Sequence, residues 1–191
     1  MKNKGILLAG ICIIIGFIYR LIPGHPHNVT PIAAMALIGG LYFNRKLLAF
    51  LVPIIALVAS DLILNNTINR VFFTDHSGIV LWADYMYWTY GAFLLTVVLG
   101  IVLSNKSAKS KILVGGVAAS LLFFVISNVG VWLSMPMYSK DFAGLTTCFI
   151  AAIPFFQNTL LGNLLFAGIF IGSIEYLRSR ENTTSLNFQN S

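Results

Sequence analysis

Hydrogen-bonding and aromatic side chains recur near one end of several apolar segments, and their types suit ligand binding rather than bond-breaking chemistry. They are Asn28, Asp61, Asp84, Tyr85, Trp88, Asn128, Trp132, Asn158 and Asn163. Amide and carboxylate groups orient a small molecule through hydrogen bonds, and aromatic rings supply the apolar wall of a pocket. The set therefore predicts a ligand-binding pocket. The alternative is that the same side chains bond to one another and hold the helices together.

Motifs for covalent, nucleotide or metal chemistry are missing from the sequence. It contains no G-x-x-x-x-G-K-[ST] phosphate loop, no H-E-x-x-H, no C-x-x-C and no G-x-S-x-G. We therefore expect that the chain is not an enzyme and needs no cofactor. One alternative stays open, because His25, His27 and His76, with Asp75 or Asp61, have the side-chain types of a metal-handling protein or a membrane enzyme.

Composition predicts the class of protein that must position these side chains. Of the 191 residues, 58% are hydrophobic and 9% are charged, against roughly 25% charged residues in a soluble domain. So few charges cannot cover a globule in water, so we expect an all-α integral membrane protein. Residues 1–177 form one predicted membrane domain, and residues 178–191 a polar, disordered cytoplasmic tail. Cys12 and Cys148 form no metal-binding spacing, although Cys148 lies near a predicted loop, within reach of a soft metal.

Hydropathy divides the membrane domain into six predicted transmembrane helices. They cover residues 5–19, 31–43, 47–64, 85–103, 112–134 and 147–176. The second is short, because 13 residues make a helix of only about 20 Å, against a hydrocarbon core of about 30 Å. Thr30 followed by Pro31 predicts its start, with the hydroxyl as a cap. Pro154 is expected to divide the last segment into a short first piece and a span, and residues 65–84 are expected to form a lid or interfacial loop.

Lysine and arginine residues predict the orientation. With six crossings, nine of the twelve fall on the side of both termini and three on the other. Basic residues concentrate on the cytoplasmic side of membrane proteins, so both termini are expected in the cytoplasm and the protein in the inner cell membrane. The net charge of +6 is then explained by the membrane topology and by contact with anionic lipid headgroups, and it does not imply a nucleic-acid partner.

Helix geometry places the polar side chains at a similar depth. Asp61 lies about 21 Å along the third segment and Asn128 about 24 Å along the fifth, both on the side away from the cytoplasm. Asn158 and Asn163 begin on that side of the sixth segment. The pocket is therefore predicted to open outward. For Asp61 two other roles stay open, namely pairing with Arg20 or capping a helix end.

Four stretches resemble a known family. They are P-H-N-V-T-P-I-A-A-M-A-L-I-G-G, L-V-P-I-I-A-L-V-A-S-D-L-I-L, S-N-V-G-V-W-L and A-A-I-P-F-F-Q-N-T-L-L-G-N. The chain resembles a family of small bacterial membrane proteins of unknown function, which is similar to the substrate-binding S components of energy-coupling factor vitamin transporters. The resemblance implies a six-helix bundle with cytoplasmic termini, an outward ligand pocket, and a transmembrane coupling protein with ATPases as partner.

Three functional hypotheses follow. The first is a membrane subunit that captures a small, vitamin-like molecule for uptake, with membrane lipid and the ligand as its other partners. The second is the metal-handling protein or membrane enzyme. The third is a structural membrane protein that transports nothing, in which the polar side chains serve packing.

Overall fold

The structure is a computed structural model of an all-α chain. It describes the backbone of residues 2–24, 26, 28–74 and 77–189, and the side chains of residues 4–24, 26, 28–74 and 77–180. The helices are α1 (Lys2–Leu21), α2 (Ile32–Tyr42), α3 (Lys46–Asn66), α4 (Tyr85–Leu103), α5 (Ala108–Ser134) and α6 (Phe142–Gln189), with a 3₁₀ helix at Ile68–Phe72. The described residues include no β-strand, so the predicted all-α class is confirmed.

Five of the helices have the length and composition of membrane spans. These are α1, α3, α4, α5 and α6 within the described part of the chain. Helix α2 has 11 residues and a length of about 16 Å, roughly half of the hydrocarbon thickness. The described residues therefore contain the six predicted helices, but α2 is too short to cross a bilayer by itself, so six membrane crossings stay a prediction.

Helix α2 lies at the centre of the bundle. All residues from Ala33 to Tyr42 are buried, and the helix contacts all five of the others. A helix that is apolar on every side needs such an environment. Its contact with α4 is close because both helices carry glycine there. A methyl group on Gly40 would lie 2.8 Å from Gly100 Cα, nearer than packed carbon atoms approach.

The outer surface of the bundle is apolar. Leu47 is 68% exposed, Val102 67% and Leu161 64%, and they have many aliphatic neighbours of similar exposure. Soluble monomers rarely expose such continuous apolar surface, whereas helices in hydrocarbon require it. The surface therefore agrees with a membrane protein.

Helix α6 differs from its prediction. Pro154 lies inside one continuous helix instead of dividing it. Proline removes one hydrogen bond, but neighbouring helices and local adjustments compensate for such losses in membrane helices. Helix α6 also gives residues 178–189 a helical backbone, where the sequence predicts a disordered tail. Because this segment continues an existing helix, it needs no nucleation of its own.

The start of α2 is also corrected. Helix α2 begins at Ile32, Pro31 occupies the cap position, and no side chain caps the helix. The predicted Thr30 cap is therefore wrong. Because a backbone carbonyl suffices for the first helical bond, Pro31 O accepts from Met35 N at 2.9 Å.

Antiparallel neighbours give the bundle two polar ends. At the Arg20 end, α1, α3 and α5 finish while α2, α4 and α6 begin. At the opposite Lys111 end, Glu175 Oε1 accepts hydrogen bonds from the Tyr42 hydroxyl at 2.8 Å and from Lys111 Nζ at 2.7 Å. This cluster joins α2, α5 and α6, whereas the predicted pocket residues lie towards the Arg20 end.

Candidate functional site

Within the part of the chain that the structure describes, three cavities with several polar side chains in their lining open at the Arg20 end of the bundle. The Arg20 cavity, of about 320 Å³, includes Arg20, Asn28, Thr30, Leu64 and Asn69 in its lining. The Asn128 cavity, of about 190 Å³, includes Asn28, Phe124, Ser127, Asn128, Phe155 and Thr159. The Trp88 cavity, of about 230 Å³, includes Asp84, Tyr85, Trp88, Thr89, Ser127 and Ser134.

Two residues connect these cavities. Asn28 lines both the Arg20 and the Asn128 cavity, and Ser127 lines both the Asn128 and the Trp88 cavity. The cavities therefore adjoin. Five of the nine predicted site residues line them, namely Asn28, Asp84, Tyr85, Trp88 and Asn128.

The backbone around Asn28 places its side chain between two cavities. Asn28 has φ of 63°, a left-handed conformation that asparagine tolerates better than most residues. Val29 N donates to Pro26 O at 3.1 Å and closes the turn. The next residues rest on α6, where a methyl group on Gly162 would lie 3.0 Å from Val29 Cα. The turn and this contact fix the position of Asn28 above α5 and α6.

Asp61 binds Arg20 and is not in the lining of the three cavities. Its Oδ1 lies 2.6 Å from Arg20 Nη2, and the residues are 3% and 8% exposed. Arg20 Nη1 also donates to Ser60 Oγ and, at 3.4 Å, to Leu57 O. Among the described residues, Asp61 Oδ2 has no hydrogen-bond partner. The pairing that the sequence left open is therefore present, and Arg20 is the member of the pair that reaches a cavity.

Helix α4 supplies the aromatic side of the site. Tyr85 and Asn65 exchange hydrogen bonds of 2.9 and 3.1 Å, which fix the tyrosine against the end of α3. The Trp88 ring packs on Gly130 of α5, in space that any larger side chain would occupy. Asp84 precedes the helix without a side-chain capping bond and is in the lining of the Trp88 cavity.

Helix α5 carries two polar side chains that line the cavities. Asn128 Nδ2 donates to Phe124 O at 2.7 Å, and Ser127 Oγ donates to Phe123 O at 2.6 Å, each within the helix. Ser127 was not among the predicted site residues, although its position beside Asn128 would have indicated it. Thr159 of α6 completes the polar lining of the Asn128 cavity.

Three predicted residues are placed outside the lining of these cavities. Asn163 Nδ2 donates to Ser120 Oγ at 2.8 Å and joins α6 to α5 in the bundle interior. Trp132 Nε1 donates to Ser139 O at 2.8 Å and holds the loop before α6. Asn158 is half-buried beside the Asn128 cavity wall on α6. For Asn163 and Trp132, these contacts match the packing alternative.

The loop before α6 is fixed by its own polar contacts. Lys140 Nζ donates to Met135 O at 2.8 Å and also to Trp132 O. Asp141 Oδ1 accepts from Gly144 N and from Ser139 Oγ, both at 2.7 Å. These hydrogen bonds, of which the one from the Gly144 N–H has the largest effect, hold the pKa of Asp141 below its ordinary value. The charged carboxylate therefore caps the start of α6.

The alternative metal site falls largely outside the described residues. His25, His27, Asp75 and His76 all lie there. Within the part of the chain that the structure describes, no group of three or more histidine, cysteine, aspartate or glutamate side chains is placed to hold a metal ion. Cys148 is buried and its thiol donates to Asn128 O at 3.5 Å.

Comparison with known proteins gives a family but no relative of known function. A family model described as "Family of unknown function (DUF6580)" matches residues 1–186. No curated protein and no solved structure matches the chain. The match agrees with the predicted resemblance to a family of unknown function, while the likeness to transporter S components stays a prediction.

Proposed function

The chain belongs to the family of unknown function DUF6580, and we propose that it is an integral membrane protein that binds a small molecule at its Arg20 end. The observation that carries this proposal is the set of adjoining cavities, which share Asn28 and Ser127. Ligand sites are concave, mostly apolar, and contain a few convergent polar groups. The cavities have that character.

The proposed topology follows the distribution of basic residues. Both termini and the Lys111 end would face the cytoplasm of the inner cell membrane, and the Arg20 end would face away from it. Helix α2 would complete a bundle of six membrane segments, sheltered from lipid by the helices around it. Ligand would then enter from outside the cell.

The Asn128 cavity supports a role in binding because polar and aromatic groups meet there. Asn28, Ser127, Asn128 and Thr159 supply hydrogen-bonding groups, and the remaining lining is mainly phenylalanine. Phe124 and Phe156 lie with ring centroids 4.8 Å apart. Such a lining suits an amphipathic molecule, whose polar atoms bond to the amides and hydroxyls while its body contacts the rings.

The segment between α3 and α4 is the proposed lid. Asn66 holds it at one point, since its side chain accepts from Val80 N at 2.8 Å and donates to Val80 O at 2.9 Å. Arg70 donates to Gly78 O at 2.9 Å. Ile68 and Asn69 of the same segment line the Arg20 cavity. Opening of the Asn66 contact would therefore widen that cavity.

Uptake through a transmembrane coupling protein with ATPases is the finer form of this proposal. Its support is the sequence resemblance to transporter S components, together with the position of the cavities at one end of a membrane bundle. The structural alternative is favoured by two pairs, Arg20–Asp61 and Asn163–Ser120, in which polar side chains bond to each other.

Mass spectrometry of the purified protein tests the proposal. We expect a small molecule to be released when the protein is denatured, and Asn128→Ala to reduce its amount. Asn163→Ala is the matched control, because it removes an amide of α6 that bonds to Ser120 outside the cavity linings. Equal loss of the molecule in both variants, or no molecule in the wild type, would favour the structural alternative.

A further inference from the structure

We infer that the ligand is an amphipathic anion, with its negative group at Arg20 and its apolar body in the Asn128 cavity. This inference rests on the proposed function and adds the chemical class of the ligand. Its evidence is the charged side chain that lines the Arg20 cavity, the carboxylate that pairs with it, and the residue shared by the Arg20 and Asn128 cavities.

Arg20 is the charged group in question. Among the described residues that line the Arg20 cavity, it is the sole ionisable one, and the other polar lining comes from Asn28, Thr30 and Asn69. A guanidinium group is always protonated and carries five N–H donors in a planar fork, which matches carboxylate and phosphate oxygens. Asparagine and threonine side chains add neutral donors. The cavity is therefore suited to an anion and not to a cation.

The counter-charge of Arg20 lies away from the cavity. Asp61 bonds to Arg20 Nη2, is 3% exposed, and does not appear in the lining. An ion pair that only stabilised helix packing would not need either of its side chains to line a cavity. Here the cation lines the cavity while its carboxylate partner does not, so Arg20 is the charged side chain, among the described residues, that a ligand in this cavity would meet.

The apolar part of the ligand would lie on the other side of Asn28. That residue lines both cavities, so a molecule that passes beside it reaches from Arg20 to the phenylalanine rings. Phe123, Phe124, Phe155 and Phe156 line the second cavity. A free negative group would be poorly solvated among these rings, so the charge belongs at Arg20 and the apolar body belongs here.

Asp61 competes with such a ligand for Arg20. Two anions on one buried cation leave a net negative charge in a medium of low dielectric constant, which is unfavourable. Replacing Asp61 by the isosteric, neutral asparagine would remove this competitor. Anion binding should then become tighter even if the protein loses stability, whereas a merely structural pair would show no gain in affinity.

Calorimetric titration with three size-matched probes tests the inference. The protein would be placed in phosphatidylcholine nanodiscs and titrated with 4-phenylbutyrate, 4-phenylbutanamide and 4-phenylbutylamine. We expect the carboxylate to bind about tenfold more tightly than the amide, because a hydrogen bond between two charged groups is stronger than one to a neutral group. The amine should bind most weakly. Repeating the carboxylate titration with phosphatidylglycerol present separates the two sources of such an anion: weaker binding indicates a lipid headgroup and unchanged binding a soluble molecule.

Four variants locate the effect. Asp61→Asn should tighten carboxylate binding, and the double variant Arg20→Gln, Asp61→Asn should abolish the preference for carboxylate over amide without leaving a buried charge. Arg20→Lys, which keeps the ion pair but loses the fork, should weaken carboxylate binding and leave the amide unchanged. Arg45→Gln removes the same charge from an exposed position at the other end and should change nothing.

Two results would overturn the inference. Equal binding of amide and carboxylate, or tighter binding of the amine, would show a ligand site without anion preference, and the proposed function would stand. Binding of none of the probes to the wild type would also overturn it. The small molecule released from the purified protein would then decide the proposed function separately.

Discussion

Arg20 and Asp61 form a buried ion pair of 2.6 Å that joins α1 to α3 beside the Arg20 cavity. The cost of removing two charges from water is offset only when each keeps its partner. The pair therefore fixes the two helices relative to each other, and Arg20 is the member of the pair that lines the cavity.

Removing one member of this pair should destabilise the protein strongly. Asp61→Ala leaves the Arg20 charge buried without its partner, and we expect a loss of about 3–5 kcal/mol in the free energy of unfolding. The double variant Arg20→Met, Asp61→Leu should recover most of that loss, because no charge is left buried. Denaturant unfolding in detergent measures both. A double variant as unstable as Asp61→Ala would show that the unpaired charge is not the cause of the loss.

Close packing of α2 on α4 predicts a sharp difference between two glycines. Gly40→Ala would place a methyl group 2.8 Å from Gly100 Cα, and the required shift should cost about 1–3 kcal/mol. Gly168→Ala is the control, because a methyl group there meets nothing within 4 Å. Thermal unfolding should show a lower midpoint for the first variant alone, and equal midpoints would place the helices farther apart.

The Asp141 cap predicts a pH-dependent contribution to stability. Its pKa is lowered in the folded state by the Gly144 N–H and the Ser139 hydroxyl. The charged form is therefore favoured by folding, and its contribution is present above the unfolded-state pKa and lost as pH falls through the lowered folded-state value. Asp141→Asn should be less stable than the wild type at neutral pH and equal to it in strong acid. A difference that stays constant with pH in thermal unfolding would refute the cap.

The Asn66 contact predicts the local stability of the proposed lid. Asn66→Ala removes two hydrogen bonds to Val80, each worth about 0.5–1.5 kcal/mol. Hydrogen exchange should accelerate at Val80 and its neighbours while α4 stays protected. Asn44→Ala, at an exposed site on the opposite end, should leave the exchange of this segment unchanged. Unchanged exchange in Asn66→Ala as well would mean that other contacts hold the segment.

The proposed orientation predicts which loops a membrane-impermeant thiol reagent reaches. In a Cys12→Ala, Cys148→Ala background, Lys140→Cys should react in intact cells, because it lies at the Arg20 end. Lys109→Cys, near the start of α5, should react only after the cells are permeabilised. The reverse pattern would place the cavities on the cytoplasmic side and contradict uptake from outside.

Helix positions were predictable from the sequence because hydropathy and charge mark them directly. Tyr85–Leu103 was predicted with the bounds that α4 has. The predicted division of the last helix at Pro154 is wrong, since the cost of a proline in a helix depends on neighbouring residues that a linear pattern does not reveal. The predicted cap at Thr30 is wrong for a similar reason, because a side-chain cap is needed only where no other group satisfies the start of the helix.

Individual contacts of the site were less predictable than its general position. Depth along its helix predicts Asn128 at the end away from the cytoplasm, and Asn28 and Trp88 follow from their places in a loop and at a helix end; the structure places all three in cavity linings. Which side chains face a cavity depends on the rotation of each helix and on its neighbours. Arg20 therefore emerged as a cavity residue, and Asn163 as a bond between α5 and α6, only from the assembled bundle.

A substitution that fills the cavities tests most directly whether they hold a small molecule. Ser127 lines two of the three cavities, and Ser127→Phe would put a ring into that space. Native mass spectrometry should show one small molecule bound to each wild-type chain and none to Ser127→Phe, while thermal unfolding shows that the variant is still folded. A wild-type chain without ligand, or a variant that retains it fully, would contradict the proposed function.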